Sequence, residues 1–276
     1  MGTTFIFTVV ILSVLGLLLA VVLFLVAKKF KVEEDPLIDI VEATMPGANC
    51  GGCGFAGCRA FAEACVKTRS LEGKFCPVGG NAVMQKVAAH LGVTVEEKAP
   101  MTAVVRCNGT CANRVRTNEY DGSVSCRIMS SLYSGDTGCR YGCLGGGDCE
   151  KACQFGAIKV NPETLIPEVD EEKCTACGAC VRACPKGIIE LRNKGPKNRR
   201  VYVSCMNQDK GGVARKACSA ACIGCRKCEK VCPFGAITVE NNLSYIDFNK
   251  CKLCRKCVAE CPTGAIHAVN FPPKPA

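Results

Sequence analysis

The chain is apolar almost without break from Phe5 to Ala27, interrupted only by Thr8, Ser13 and Gly16. As a helix this run is about 35 Å long, enough to cross a bilayer. Lys28, Lys29 and Lys31 follow at once, and positive residues on the carboxyl side of a lone span keep that side in the cytoplasm. A cleaved signal peptide would carry basic residues ahead of a shorter apolar stretch, and Met-Gly-Thr-Thr has none. Beyond the span the pattern shortens. Alternation over Ala236 to Val239, a turn at Asn241-Asn242 and a second run from Leu243 to Asp247 predict a strand, turn and strand. Ala157 to Val160, a turn at Asn161-Pro162 and Ile166 to Asp170 repeat that unit. Between span and repeats, Arg59 to Ser70 reads as a helix.

Cysteine gives these short elements a reason to exist. The chain has 26, and three groups read C-x2-C-x2-C-x3-C-P, the ligand run of bacterial ferredoxins, whose fourth cysteine crosses to the partner cluster. They are Cys174, Cys177, Cys180 and Cys184; Cys222, Cys225, Cys228 and Cys232; and Cys251, Cys254, Cys257 and Cys261. A leading group, Cys139, Cys143, Cys149 and Cys153, is stretched by Gly145-Gly146-Gly147 and has Gln154 in place of proline. Crossing predicts four clusters in two doublets. Cys139, Cys143, Cys149 and Cys184 would hold one, and Cys174, Cys177, Cys180 and Cys153 its neighbour. Cys222, Cys225, Cys228 with Cys261, and Cys251, Cys254, Cys257 with Cys232, would hold the second pair.

Nearer the membrane, Cys50, Cys53, Cys58 and Cys76 among Gly51, Gly52, Gly54 and Gly57 form a fifth 4Fe-4S site. A sixth would draw Cys107 and Cys126 from before the first doublet, and Cys205 and Cys218 from the insertion between doublets. Cys65 and Cys111 are left over as plain thiols. Disulfides do not suit a reducing compartment. Zinc would need paired C-x2-C units across a spacer rather than a cysteine at every third position. Haem attachment would need a Cys-His step, and there is none.

The fold class expected is therefore α+β. Residues 1–30 are the transmembrane anchor, 31–95 the four-cysteine domain, and 96–135 a linker contributing to the sixth cluster. Residues 136–192 and 218–270 form two ferredoxin-like domains separated by an insertion, 193–217, with a tail at 271–276. Units this small have marginal cores, so the clusters supply much of the interior.

The formal charge of +10 treats cysteines as neutral. Six oxidised clusters, each about −2 with its thiolates, would bring the total to about −2, which removes the case for nucleic-acid binding. Arg192, Lys194, Lys197, Arg199 and Arg200 form a basic loop, either a dock for an acidic electron carrier or a solvated loop balancing cluster charge. No G-x-G-x-x-G opens a helix after a strand and no G-x-x-x-x-G-K-[ST] occurs, so neither NAD nor ATP is expected to bind this chain. A span without a charged residue offers no ion path.

One membrane span, then Cys-Gly-Gly-Cys-Gly-Phe-Ala-Gly-Cys, then tandem ferredoxin doublets resemble, over nearly the whole chain, the B subunit of the Rnf complex, a membrane ion-translocating ferredoxin:NAD oxidoreductase. That resemblance implies an electron-transfer subunit of an oxidoreductase. It would take electrons from reduced ferredoxin in the cytosol and relay them to membrane and flavin-bearing partner subunits. Shorter relatives reduce an oxidised redox sensor, which supplies the alternative of a membrane-tethered donor to a regulator.

Overall fold

A computed structural model describes residues 2–29, 35–132 and 135–272; Lys31 and residues 273–276 of the tail lie outside the described residues. Helix α1, Gly2–Lys29, carries the apolar run. Among the described residues it alone is long and apolar enough to cross a membrane, and none of its span is buried against the rest of the chain.

Three helices build the four-cysteine domain: α2 (Leu37–Thr44), α3 (Cys58–Thr68) and α4 (Gly80–Leu91). Apolar positions at helical spacing, Phe61, Ala62, Cys65 and Val66 on α3 and Met84, Val87 and Leu91 on α4, close on Val41 of α2. Helix α3 stops two residues short of the predicted Ser70 because Arg69 turns left-handed, with φ 47°. Arg59 ties α3 to α2 through Asp39 at 3.1 Å and Glu42 at 2.7 Å.

The rest of the chain is small sheets and short helices. In order they are β1 (Met101–Val105), α5 (Cys126–Leu132), α6 (Asp148–Lys151), β2 (Ile158–Val160), β3 (Pro167–Val169), α7 (Ala179–Ala183) and β4 (Ile189–Asn193). Then come β5 (Arg200–Val203), α8 (Gly211–Ala217), α9 (Lys227–Lys230), β6 (Ile237–Glu240), β7 (Leu243–Ile246), α10 (Lys256–Ala259) and β8 (Ile266–Val269). The two hairpins expected from alternation are present as antiparallel pairs, β2 with β3 and β6 with β7. Alternation in the flanks did not announce the other two pairs. β1, from the stretch read as a linker, pairs antiparallel with β4, Met101 opposite Asn193 and Val105 opposite Ile189. β5, from the stretch read as an insertion, pairs with β8, Arg200 opposite Val269 and Val203 opposite Ile266. Each doublet is thus closed by a strand from outside its cysteine repeat, which covers an edge that would otherwise stand open.

Three segments join the modules. Asn81 exchanges two 3.0 Å hydrogen bonds with the backbone of Lys98, leading straight into β1. A Cβ placed on Gly52 would lie 2.9 Å from Cys177 Cβ and 3.0 Å from its Cα and carbonyl oxygen, so the four-cysteine domain touches the first doublet there. Between doublets, Arg106 Nε donates to the Val203 carbonyl at 3.3 Å and Arg192 Nη1 to that of Val201 at 3.4 Å.

Candidate iron-sulfur sites

In the four-cysteine domain, Cys50, Cys53, Cys58 and Cys76 line one pocket beneath the glycine-rich loop. The Gly79 amide donates to Cys76 Sγ at 3.3 Å, and the Asn49 side chain accepts from the Cys58 amide at 2.8 Å, holding the start of α3 against the cavity. Burial pushes the Cys76 thiol up, with its own sulfur neighbours Cys53 and Cys58 adding to the shift. Cys65 is wholly buried in the helical core and does not line this cavity; burial pushes its thiol up to about 11.

In the second doublet, cysteines distant in sequence lie together. Cys222, Cys225 and Cys228 line a pocket together with Cys261. Burial raises Cys257 to about 12, with Cys251 and Cys254 among its sulfur neighbours, while Cys251 has Cys254 and Cys232. In the first doublet, Cys180 is raised to about 11 by burial and then by Cys174, Cys177 and Cys153. The Ala157 amide donates to Cys153 Sγ at 3.3 Å.

The remaining cysteines sort differently from the sequence expectation. Cys139 does not gather with Cys149 and Cys184. It lines a pocket with Cys107, Cys205 and Cys218, which Cys143 also borders. Cys126 does not line that cavity. It instead stands beside Cys149, raised to about 12 by burial, then by Cys126 and Cys184, and it also neighbours Cys143. The two cysteines have traded places. The cause is the glycine run: a Cβ on Gly146 would sit 2.7 Å from the Cys126 amide nitrogen and 3.1 Å from its Sγ. Asp148 then pins the first turn of α5, accepting from Ser125 Oγ at 3.0 Å and the Arg127 amide at 2.9 Å. Three glycines in a row were the available signal, since they mark close approach by other backbone as readily as tight turns.

Around the cavity shared by Cys107, Cys139, Cys205 and Cys218, the sulfurs receive donors. Gly109 and Cys143 amides point at Cys107 Sγ, the Asn207 amide at Cys205 Sγ and Asn207 Nδ2 at Cys139 Sγ, each at 3.4 Å. Such N–H to sulfur bonds are the tuning contacts of iron-sulfur ligands. Each pocket is lined by at least four cysteines, the ligand number of a 4Fe-4S cluster. Cube-shaped clusters fit such donor sets. Cys111 stays exposed, its sulfur 3.8 Å from the Thr164 carbonyl.

Part of the basic loop folds inward, while Lys197 stays exposed. Arg192 and Arg200 are 1 % and 5 % exposed. Arg192 pairs with Glu190 and lies over Tyr245 and Tyr202, 5.2 and 5.8 Å from their ring centroids, and Arg200 pairs with Glu171. Burial lowers the Arg106 pKa, which Glu190 counteracts and Arg192 reinforces. Two cations facing one carboxylate leave positive charge buried between doublets, where anionic clusters would balance it.

A membrane helix followed by serial cysteine-lined cavities defines a multi-cluster iron-sulfur electron-transfer protein. Residues 138–211 and 221–265 match the family described as 4Fe-4S dicluster domain, and 45–78 the family described as putative Fe-S cluster. The B subunit of the Na(+)-translocating ferredoxin:NAD(+) oxidoreductase complex of Acetobacterium woodii is 48 % identical over 242 residues, 88 % of this chain and 71 % of that protein. The B subunit of the proton-translocating ferredoxin:NAD(+) oxidoreductase complex of Clostridium ljungdahlii is 44 % identical over 248 residues, covering 90 % and 86 %. The corresponding B subunit of the ion-translocating oxidoreductase complex of Methanosarcina acetivorans is 43 % identical over 251 residues, covering 91 % and 93 %. The chain belongs to the B-subunit family of Rnf complexes. It is an iron-sulfur electron-transfer subunit of the ion-translocating ferredoxin:NAD oxidoreductase, acting within a multi-subunit complex.

Proposed function

We propose that the chain is a six-cluster wire that accepts electrons from reduced ferredoxin and relays them to partner subunits. In this reading α1 spans the membrane once and Lys28 and Lys29 hold the cluster-bearing part on the cytoplasmic side. The ligand sets are Cys50, Cys53, Cys58 and Cys76; Cys153, Cys174, Cys177 and Cys180; Cys126, Cys143, Cys149 and Cys184; Cys107, Cys139, Cys205 and Cys218; Cys222, Cys225, Cys228 and Cys261; and Cys232, Cys251, Cys254 and Cys257. Each 4Fe-4S cluster supplies a one-electron redox step, and the protein's part is to space the clusters, donate to their sulfurs and exclude water.

The observation that carries the reading is that consecutive sets abut in the order just given. Gly52 meets Cys177, Cys149 neighbours Cys180, the Cys143 amide donates to Cys107 Sγ, Cys205 neighbours Cys222, and Cys257 neighbours Cys228. The set containing Cys139 bridges the doublets, with Cys107 and Cys139 from one side and Cys205 and Cys218 from the other. Single Cys→Ala variants test the sets by electron paramagnetic resonance of the fully reduced protein. Cys139→Ala should remove the same signal as Cys218→Ala, and Cys126→Ala the same signal as Cys184→Ala. The reverse grouping would overturn the assignment, as would iron well below about 24 atoms per chain, the content of six four-iron cubes.

A further inference from the structure

We infer that the face of the second doublet around Cys225 and Cys254 is the docking surface for an acidic, soluble electron-carrier protein; this rests on the reading that ferredoxin is the donor. In all four short helices that follow a second cysteine or its equivalent, the residue before the helix is left-handed. In the first doublet that residue is glycine, Gly147 at φ 74° and Gly178 at φ 75°. In the second it is arginine, Arg226 at φ 60° and Arg255 at φ 62°. An L side chain is strained there and glycine is not. Arginine thus stands at both positions where the sister doublet uses glycine, so the turn itself does not call for the guanidinium.

Burial separates the doublets in the same way. Cys177, beside Gly178, is half-buried and lies against Gly52 of the four-cysteine domain, an internal junction. Cys225 and Cys254 are exposed. Each is followed by an arginine and an exposed lysine, Lys227 and Lys256. Both guanidinium groups are held in place, Arg226 exposed and Arg255 half-buried. Arg226 is 62 % exposed, donating to the Val239 carbonyl at 3.2 Å with Glu229 at 3.8 Å. Arg255 lies 4.8 Å from the Phe271 ring centroid and reaches the Pro272 carbonyl at 3.5 Å. Positive charge fixed beside exposed cysteines would orient an acidic partner and bring its cluster nearest these two sets. The step is transfer of one electron: the carrier is oxidised, the set holding Cys225 or Cys254 is reduced, and no bond or proton moves.

The test uses the full chain in its complex, with ferredoxin as probe, comparing the double variant Arg226→Gly, Arg255→Gly with a control that loses equal charge elsewhere, Lys86→Gln, Lys159→Gln. Binding of oxidised ferredoxin is followed by calorimetry and cluster reduction by stopped flow, across salt concentrations. The arginine variant should weaken binding and slow reduction on the order of tenfold at low salt, with the difference closing as salt rises. Its cluster content and melting temperature should hold or rise, because glycine relieves the left-handed strain. A lower melting temperature with an unchanged salt dependence would mark the arginines as packing residues and overturn the dock. So would equal slowing in the control, or wild-type rates in the arginine variant. Binding at this face without reduction would overturn the donor reading alone, and neither binding nor reduction would overturn both.

Discussion

In the proposed wire, Gly52 joins the site of Cys50, Cys53, Cys58 and Cys76 to the first doublet, so Gly52→Val should cut electron flow at that point and nowhere else. The backbone at Gly52 is not in the left-handed region, so only Cys177 forbids a side chain. Carbon atoms prefer about 3.5–4.0 Å of separation, whereas an added Cβ would stand at 2.9–3.0 Å from three backbone and Cβ atoms of Cys177. Relief requires the two surfaces to part by roughly 0.5–1 Å, and overpacking of this kind costs about 1–3 kcal/mol. If the domains are free to separate, that cost is a roughly 5- to 150-fold loss of the docked arrangement. Tunnelling falls exponentially with distance, so the rate into the site held by Cys50, Cys53, Cys58 and Cys76 should drop with it. Rapid-freeze electron paramagnetic resonance after mixing with reduced ferredoxin should show that signal lagging at least fivefold while the others fill normally. Excess dithionite should still develop it fully, which shows the cluster is intact. A wild-type filling rate in the variant would refute the junction.

Phe61 is fully buried in the four-cysteine domain, with its ring 5.4 Å from Phe55 in an edge-on contact. Phe61→Ala should cost about 3–5 kcal/mol, comparable to the whole stability of so small a domain, about 5 kcal/mol. Loss of the Cys50-set signal alone is expected, with the doublet signals kept. Cluster retention should also depend on pH. Burial raises the Cys149, Cys205 and Cys257 thiols to about 12, so in the metal-free protein they carry protons at neutral pH. Ligation requires the thiolate and releases those protons, so assembly is favoured as pH rises and weakened as it falls. Iron loss to a chelator should therefore be faster at pH 6 than at pH 8; the opposite trend would contradict this account.

The hairpins β2–β3 and β6–β7, the helix at Cys58–Thr68 and the C-x2-C-x2-C runs were legible because each is written within a few neighbouring residues. The closing strands were not, because β1 and β5 find partners far along the chain, Met101 against Asn193 and Arg200 against Val269. Cys126 and Cys139 lie beside cysteines other than those expected for the same reason: no local spacing distinguishes them, and the close approach of Cys126 to Gly146 exists only in three dimensions. The basic loop shows a related limit. Charge in sequence reads as surface, yet Arg192 folds inward onto Glu190 and aromatic rings.

Apolar length and cysteine spacing were enough to read an N-terminal helix that fits a membrane anchor and two 4Fe-4S dicluster domains, because both act over distances shorter than one element. Folding settled the rest: which cysteines from separate segments share a cavity, in what order those cavities touch, and which arginines face solvent. Those outcomes depend on backbone approach within a few tenths of an ångström, at Gly52 and Gly146 above all, and such distances are properties of the packed chain.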